Sequence, residues 1–121
     1  MVELLDETTD TCVVVRFGGK VTGDEYKVFL DAIDDRLKES EKVDMVAELT
    51  EFTFYGDLEA FKEDAHFGTH EYRKVGRAAF VGDSKWIKVF IELSRPFYKA
   101  EEKQFASGAL DEAVAWACQG S

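Results

Sequence analysis

The apolar residues of this chain switch repeatedly between a two-residue and a helical period, and that alternation constrains the fold more than any other feature. Thr11-Cys-Val-Val-Val-Arg-Phe17 is rich in β-branched residues and reads as a strand. Gly18-Gly19 closes it. Thr22 followed by Glu25 forms a capping box. Tyr26, Phe29, Leu30, Ile33 and Leu37 then fall on one face of a helix, with Asp31, Asp34 and Asp35 as a solvated acidic surface. Val43, Met45, Ala47 and Leu49 alternate with Asp44 and Glu48, as in a strand with one well-buried face. Residues 50–56 read as a loop and 57–71 as a helix packing through Leu58, Phe61, Ala65 and Gly68. Val75 to Val81 reads as a strand. Asp83 or Ser84 then caps a helix with Trp86, Ile87, Phe90, Ile91 and Ser94 on one side, closed by Pro96. A short strand over residues 99–105 leads to a helix capped by Ser107, with Leu110, Ala113, Trp116 and Ala117 along it. Residues 2–6 form a short first strand.

The resulting order, β-β-α-β-α-β-α-β-α, predicts an α/β domain with a mainly parallel sheet of about five strands and right-handed crossovers. The first two strands pair as an antiparallel edge hairpin, and about four helices accompany the sheet. Such crossovers gather helices on one sheet face and leave the other for a partner. No repeat or linker interrupts the chain, so residues 1–121 are read as one domain.

Charge narrows the partners. The 15 Lys and Arg residues against 25 Asp and Glu leave a net charge of −10. Phosphate backbones and anionic lipid surfaces call for a basic face, so no nucleic acid and at most peripheral membrane contact are expected. No apolar run approaches a membrane span, and the start, Met-Val-Glu-Leu-Leu-Asp-Glu, lacks signal-peptide character. These features predict a cytoplasmic protein. Cys12 and Cys118 stand in no metal-ligand spacing and read as free, buried small hydrophobes in a reducing compartment; a disulfide between them is the open alternative, unsupported by context.

Three blocks stand in order: Phe17-Gly-Gly-Lys-Val-Thr-Gly-Asp-Glu-Tyr26, then Arg77-Ala-Ala-Phe-Val-Gly-Asp-Ser-Lys-Trp86, then Phe105 followed by Glu112-Ala-Val-Ala-Trp116. With them the chain resembles the SpoIIAA-like family of small bacterial proteins, relatives of the STAS domain. The resemblance runs over nearly the whole chain and implies an α/β fold of successive β-α turns. It also implies regulatory protein binding or the carriage of small apolar or lipid-like molecules. STAS-type anti-sigma antagonists carry a phosphorylatable Ser or Thr in a pattern like Asp-Ser-Ser-Gly after the central strand. The matching stretch here, Phe52-Thr-Phe-Tyr-Gly-Asp57, has no serine, and Thr53 is its one hydroxyl besides the tyrosine. The phospho-switch is therefore not expected.

Several constellations invite chemistry, and most have plainer readings. His66 and His70 share a helix face at metalloprotease spacing, but Phe67 stands where the general-base Glu belongs and a third ligand is missing. Gly82-Asp83-Ser84-Lys85 opens a helix after a strand without phosphate-loop spacing, and Asp83 as cap would repel an anion. Ser84 has no histidine in its segment to act as base. Asp44 and Glu48 read as a solvated strand face rather than an acid–base pair. No catalytic residue, cofactor or metal site is assigned.

The aromatic residues are more pointed. Phe52, Phe54, Tyr55, Phe61 and Phe67 crowd the segment after the middle strand. In parallel sheets, ligands bind beyond the carboxyl ends of strands. Segments 50–56 and 82–86 both leave such ends, which would set Trp86 beside Phe54 and Tyr55. Phe52, Phe54, Tyr55, Phe61 and Trp86 are therefore the candidate ligand-binding residues, as an apolar pocket or as a satellite core. The expected function is a non-enzymatic module binding a small apolar or lipid-like molecule; the alternative is a regulatory protein acting as a homodimer. Elemental analysis of the purified protein is expected to find no stoichiometric zinc, and a partner kinase should not phosphorylate Thr53. One zinc per chain, lost in a His66→Ala and His70→Ala double variant, would reverse the first expectation.

Overall fold

A computed structural model describes residues 1–55, 75–83, 85, 87, 88 and 101–118, with residues 51–55 described through their backbone. Five strands form one sheet in sequential order: β1 (Val2–Leu4), β2 (Cys12–Thr22), β3 (Val43–Tyr55), β4 (Val75–Gly82) and β5 (Glu101–Phe105). β1 pairs antiparallel with β2, and every later pairing is parallel. The described residues hold two complete helices, α1 (Gly23–Leu37) and α2 (Leu110–Ala117), rather than about four. Lys85, Ile87 and Lys88 are helical. The helix expected over 57–71 lies outside the described residues.

The Thr8 hydroxyl steers the first hairpin. It donates to the Val14 carbonyl and accepts from the Val14 amide, both at 3.0 Å, while the Leu5 amide reaches the same carbonyl at 2.8 Å. A side chain thus stands in for backbone pairing where the chain turns out of the sheet.

β2 is longer than its apolar run. Gly18-Gly19 does not end the strand, which continues to Thr22 through a change of register. Between the pairs Phe17↔Leu49 and Gly19↔Phe52, β2 advances two residues and β3 three, so β3 carries the bulge. Gly19 has φ 59. A Cβ on Gly18 would stand 2.5 Å from Thr50 Oγ1, which donates to the Phe17 carbonyl at 2.9 Å. The glycines admit this cross-strand bond rather than stop the strand.

Core residues lie on both sheet faces. On one, Val13, Val15, Phe17 and Val21 of β2 join Val43, Met45, Ala47 and Leu49 of β3 and Ala78 and Phe80 of β4. Tyr26, Phe29, Leu30 and Ile33 of α1 close that face as the helical spacing predicts. Phe29 meets Phe17 edge-on at 5.4 Å between ring centroids and Tyr26 at 5.7 Å. On the other face, Cys12, Val14, Val46, Ala79 and Val81 pack under Ala113 and Ala117 of α2. The sheet face expected to be left for a partner is therefore partly covered by the last helix.

The cysteines depart furthest from expectation. Cys12 and Cys118 are joined in a disulfide across 5.6 Å between Cα atoms, not free thiols. The helix pattern placed Cys118 near the end of α2, but nothing in the sequence brought that end to the start of β2. Ser107 is not the cap of α2: it lies in a turn with Gly108 at φ 90, and the helix begins behind Ala109 without a side-chain cap.

α1 begins as the sequence predicts. The Glu25 amide donates to Thr22 Oγ1, and the Thr22 amide donates to Glu25 Oε1, both at 3.2 Å. The bond from the Thr22 backbone holds the Glu25 carboxyl below the usual carboxylate range, helped by the Met1 amino group 3.3 Å away. Because that value is lowered on folding, the contribution is complete above the ordinary Glu range and is lost as pH falls through the lowered value. Thr22→Ala should cost about 0.5–2 kcal/mol in chemical denaturation. Glu25→Gln should keep most neutral-pH stability and flatten this acid-dependent loss.

Candidate functional site

The carboxyl ends of β2, β3 and β4 point the same way and define a stepped rim, with β2 and β3 ending together and β4 ending six residues earlier along β3. β2 leaves it at Thr22 directly into α1, fixed by the capping box. β4 leaves it at Gly82, the last residue paired with β3, in the register Leu49↔Gly82. Gly82 has φ 144, and an added Cβ would collide with the Leu49 carbonyl oxygen. Only a residue without a side chain lets β4 approach β3 so closely while turning away. Asp83 then caps the turn: its Oδ1 accepts from the Lys85 amide at 3.0 Å, and its carbonyl accepts from the Ile87 amide at 3.1 Å. Of the two caps considered, Asp83 holds this place; Ser84 lies outside the described residues.

β3 runs past that last pair. Residues 50–55 are strand, not the expected loop. Phe52, Thr53, Phe54 and Tyr55 stand beside Gly19, Lys20, Val21 and Thr22 of β2. Among the described residues, β2 alone pairs with this stretch. The six steps from Leu49 to Tyr55 carry β3 about 20 Å beyond the end of β4. The aromatic positions thus lie along a two-stranded ledge projecting from the sheet. The register change through Gly18-Gly19 keeps β2 and β3 paired over this length, and no turn signal in the sequence marked it. Phe61, Phe67, Trp86, His66 and His70 lie outside the described residues.

The expected acidic strand face is engaged in structure. Asp44 Oδ1 accepts from the Arg77 amide at 2.9 Å, where β4 takes an extra residue against β3. Glu48 pairs with Arg16 Nε across β2 and β3, and Arg16 Nη1 lies 3.7 Å from Glu3. The bond to Glu48 raises the Arg16 guanidinium above its ordinary value. Among the described residues, neither carboxylate is paired with another acid in a contrasting environment, as acid–base work requires.

A cation–aromatic cluster on the α2 face escaped sequence reading. Arg77 lies 5.1 Å over the Trp116 ring, and Lys103 lies 5.7 Å from Trp116 and 5.2 Å from Phe105. Phe105 and Trp116 are 6.1 Å apart between centroids. Arg77 Nη1 also donates to the Trp116 carbonyl at 2.8 Å, tying the end of α2 to β4. Arg77, Phe105 and Trp116 all occur in the three sequence blocks, a signal that their spacing along the chain concealed.

A family model described as SpoIIAA-like matches residues 12–118. No curated protein matches the chain. The match begins at the first residue of β2 and ends at the residue after α2, so it spans both sheet faces and the rim.

The two rim glycines give a graded test. Gly82→Ala meets both a positive φ and the Leu49 carbonyl and should cost about 3 kcal/mol or more in denaturation. Gly19→Ala meets only the positive φ, with open space around it, and should cost about 1–2 kcal/mol. Equal costs at the two positions would mean that the close approach of β4 to β3 does not govern the rim.

Proposed function

The chain belongs to the SpoIIAA-like family, and on that footing we propose that it is a non-enzymatic binding module holding a small apolar or lipid-like molecule at the carboxyl-end rim. The observation carrying this reading is the extension of β3 past β4 with Phe52, Phe54 and Tyr55 along it. This stretch sets aromatic residue types along a backbone edge that no described strand pairs on the β4 side. A ligand with an apolar body and a polar end suits such a place. Phe61 and Trp86 complete the proposed set.

A cytoplasmic setting, with at most peripheral membrane contact, accompanies this reading. No described helix is long and apolar enough to cross a membrane. The homodimer reading drew on a bare sheet face, and α2 occupies part of that face. It stands as the alternative if the rim takes no ligand.

The test is a pair of curves on Phe54→Ala: chemical denaturation, and titration with a medium-chain fatty acid followed by tryptophan fluorescence. One covered aromatic side chain supplies about 1.5–3 kcal/mol. The variant should therefore bind roughly 10–100-fold more weakly, with a stability loss of about 1 kcal/mol or less, the range of an exposed strand substitution. A loss of about 3–5 kcal/mol with an unchanged titration would make Phe54 a core residue. No fluorescence response in the wild type, together with a dimer in native mass spectrometry, would favour the interaction reading.

A further inference from the structure

The Cys12–Cys118 disulfide joins unlike environments. Cys12 opens β2 and has no exposure, packed with Val14, Val46 and Ala79 on the α2 face. Cys118 is half-buried, one residue beyond the end of α2. Besides Ala113 and Ala117, the helix it anchors adds, among the described residues, only the partly buried Leu110, Val114 and Trp116 to the core on that face. It has eight residues, no side-chain cap at Ala109 and no basic residue in its last turn. Its fully buried side chains are Ala113 and Ala117, the smallest a helix can bury. A helix this short is marginal without tertiary support. By contrast, α1 has a full capping box and buries Tyr26, Phe29, Leu30 and Ile33 on the opposite face. The chain enters α2 through a turn at Gly108, φ 90, a natural pivot.

We propose that the disulfide is a reducible latch on α2, with Cys118 as the sulfur attacked and an external dithiol as the reductant. A thiolate of the dithiol attacks Cys118 Sγ, because Cys12 Sγ is out of reach. The bond between the two Sγ atoms breaks, and its electron pair leaves on Cys12 Sγ, which takes up a proton. The second thiolate of the dithiol then attacks the reductant's own sulfur in the mixed disulfide and expels Cys118 as a thiolate. The dithiol is oxidised by two electrons and the chain's disulfide reduced by two. Among the described residues, reduction leaves α2 held by the Arg77 and Lys103 contacts to Trp116 and by Ala113, Ala117 and the partly buried Leu110, Val114 and Trp116. The helix opens about Gly108, while the sheet and α1 keep their structure. This inference does not depend on the rim reading.

Hydrogen exchange followed by mass spectrometry on the full chain tests it, with and without dithiothreitol. After reduction, peptides covering residues 110–118 should exchange roughly 10–100-fold faster, and those covering 23–37 should keep their protection. A Cys12→Ser and Cys118→Ser double variant should show the reduced pattern without reductant. Brief exposure to reduced glutathione, quenched with acid, should trap the mixed disulfide on Cys118. Unchanged protection of α2 after reduction would overturn the latch. So would loss of protection throughout the chain, which would make the bond a global staple. An adduct on Cys12, or two free thiols in the protein under oxidising conditions, would overturn the assignment of the bond and its reactive sulfur.

Discussion

Val13, Val14 and Val15 of β2 are all fully buried, although successive strand residues point to opposite sides of a sheet. Three adjacent valines without exposure require cover on both faces, and the rest of the architecture answers that demand. α1 covers the side of Val13 and Val15 with aromatic and branched side chains. The side of Val14 is covered by α2, which can approach closely because it presents alanines. The two solutions differ in kind. The first rests on burial, with Phe17, Tyr26 and Phe29 packed ring against ring. The second is thinner and is fixed at its far end by a covalent bond.

This asymmetry explains what was legible in the sequence. The α1 face could be read almost residue by residue, because helical spacing, capping box and strand alternation are local patterns that agree. The α2 face could not. Its helix follows β5 after a short turn, as expected, but the turn at Gly108 sends it to the opposite side, and no local pattern reports that choice. The disulfide was hidden for the same reason. Two cysteines at distant positions carry no pairing information until the topology brings β2 and the end of α2 together.

The rim was legible in part. The parallel strands point their carboxyl ends the same way, as expected, but β3 runs six residues past its last pair with β4; Asp83 was among the expected caps. Residues 50–56 were read as a loop, and Gly18-Gly19 as the end of the strand before the first helix. In the fold, Gly18 accepts the close approach of Thr50, Gly19 takes a positive φ, and β2 resumes. A glycine pair can thus mark a change of register as readily as an end, and the sequence does not distinguish the two. Asp44 and Glu48 were read as a solvated strand face, yet both are bonded to neighbouring strands. Their roles, one closing a bulge and the other pairing with Arg16, depend on strand neighbours that their own segment does not name.

The bridge between Cys12 and Cys118 spans a sequence separation of 106 residues and so short-circuits nearly the whole fold. Tension applied at the two chain ends would run through the sulfur atoms and bypass everything between them. The enclosed segment corresponds to about 350–380 Å of extended chain that cannot lengthen while the bond is intact. Of the five strands, only β1 lies outside the bridge, so a pulled chain would give up the β1–β2 pairing and then stop. Mechanical resistance in this molecule is therefore set by one covalent bond rather than by the strength of its sheet.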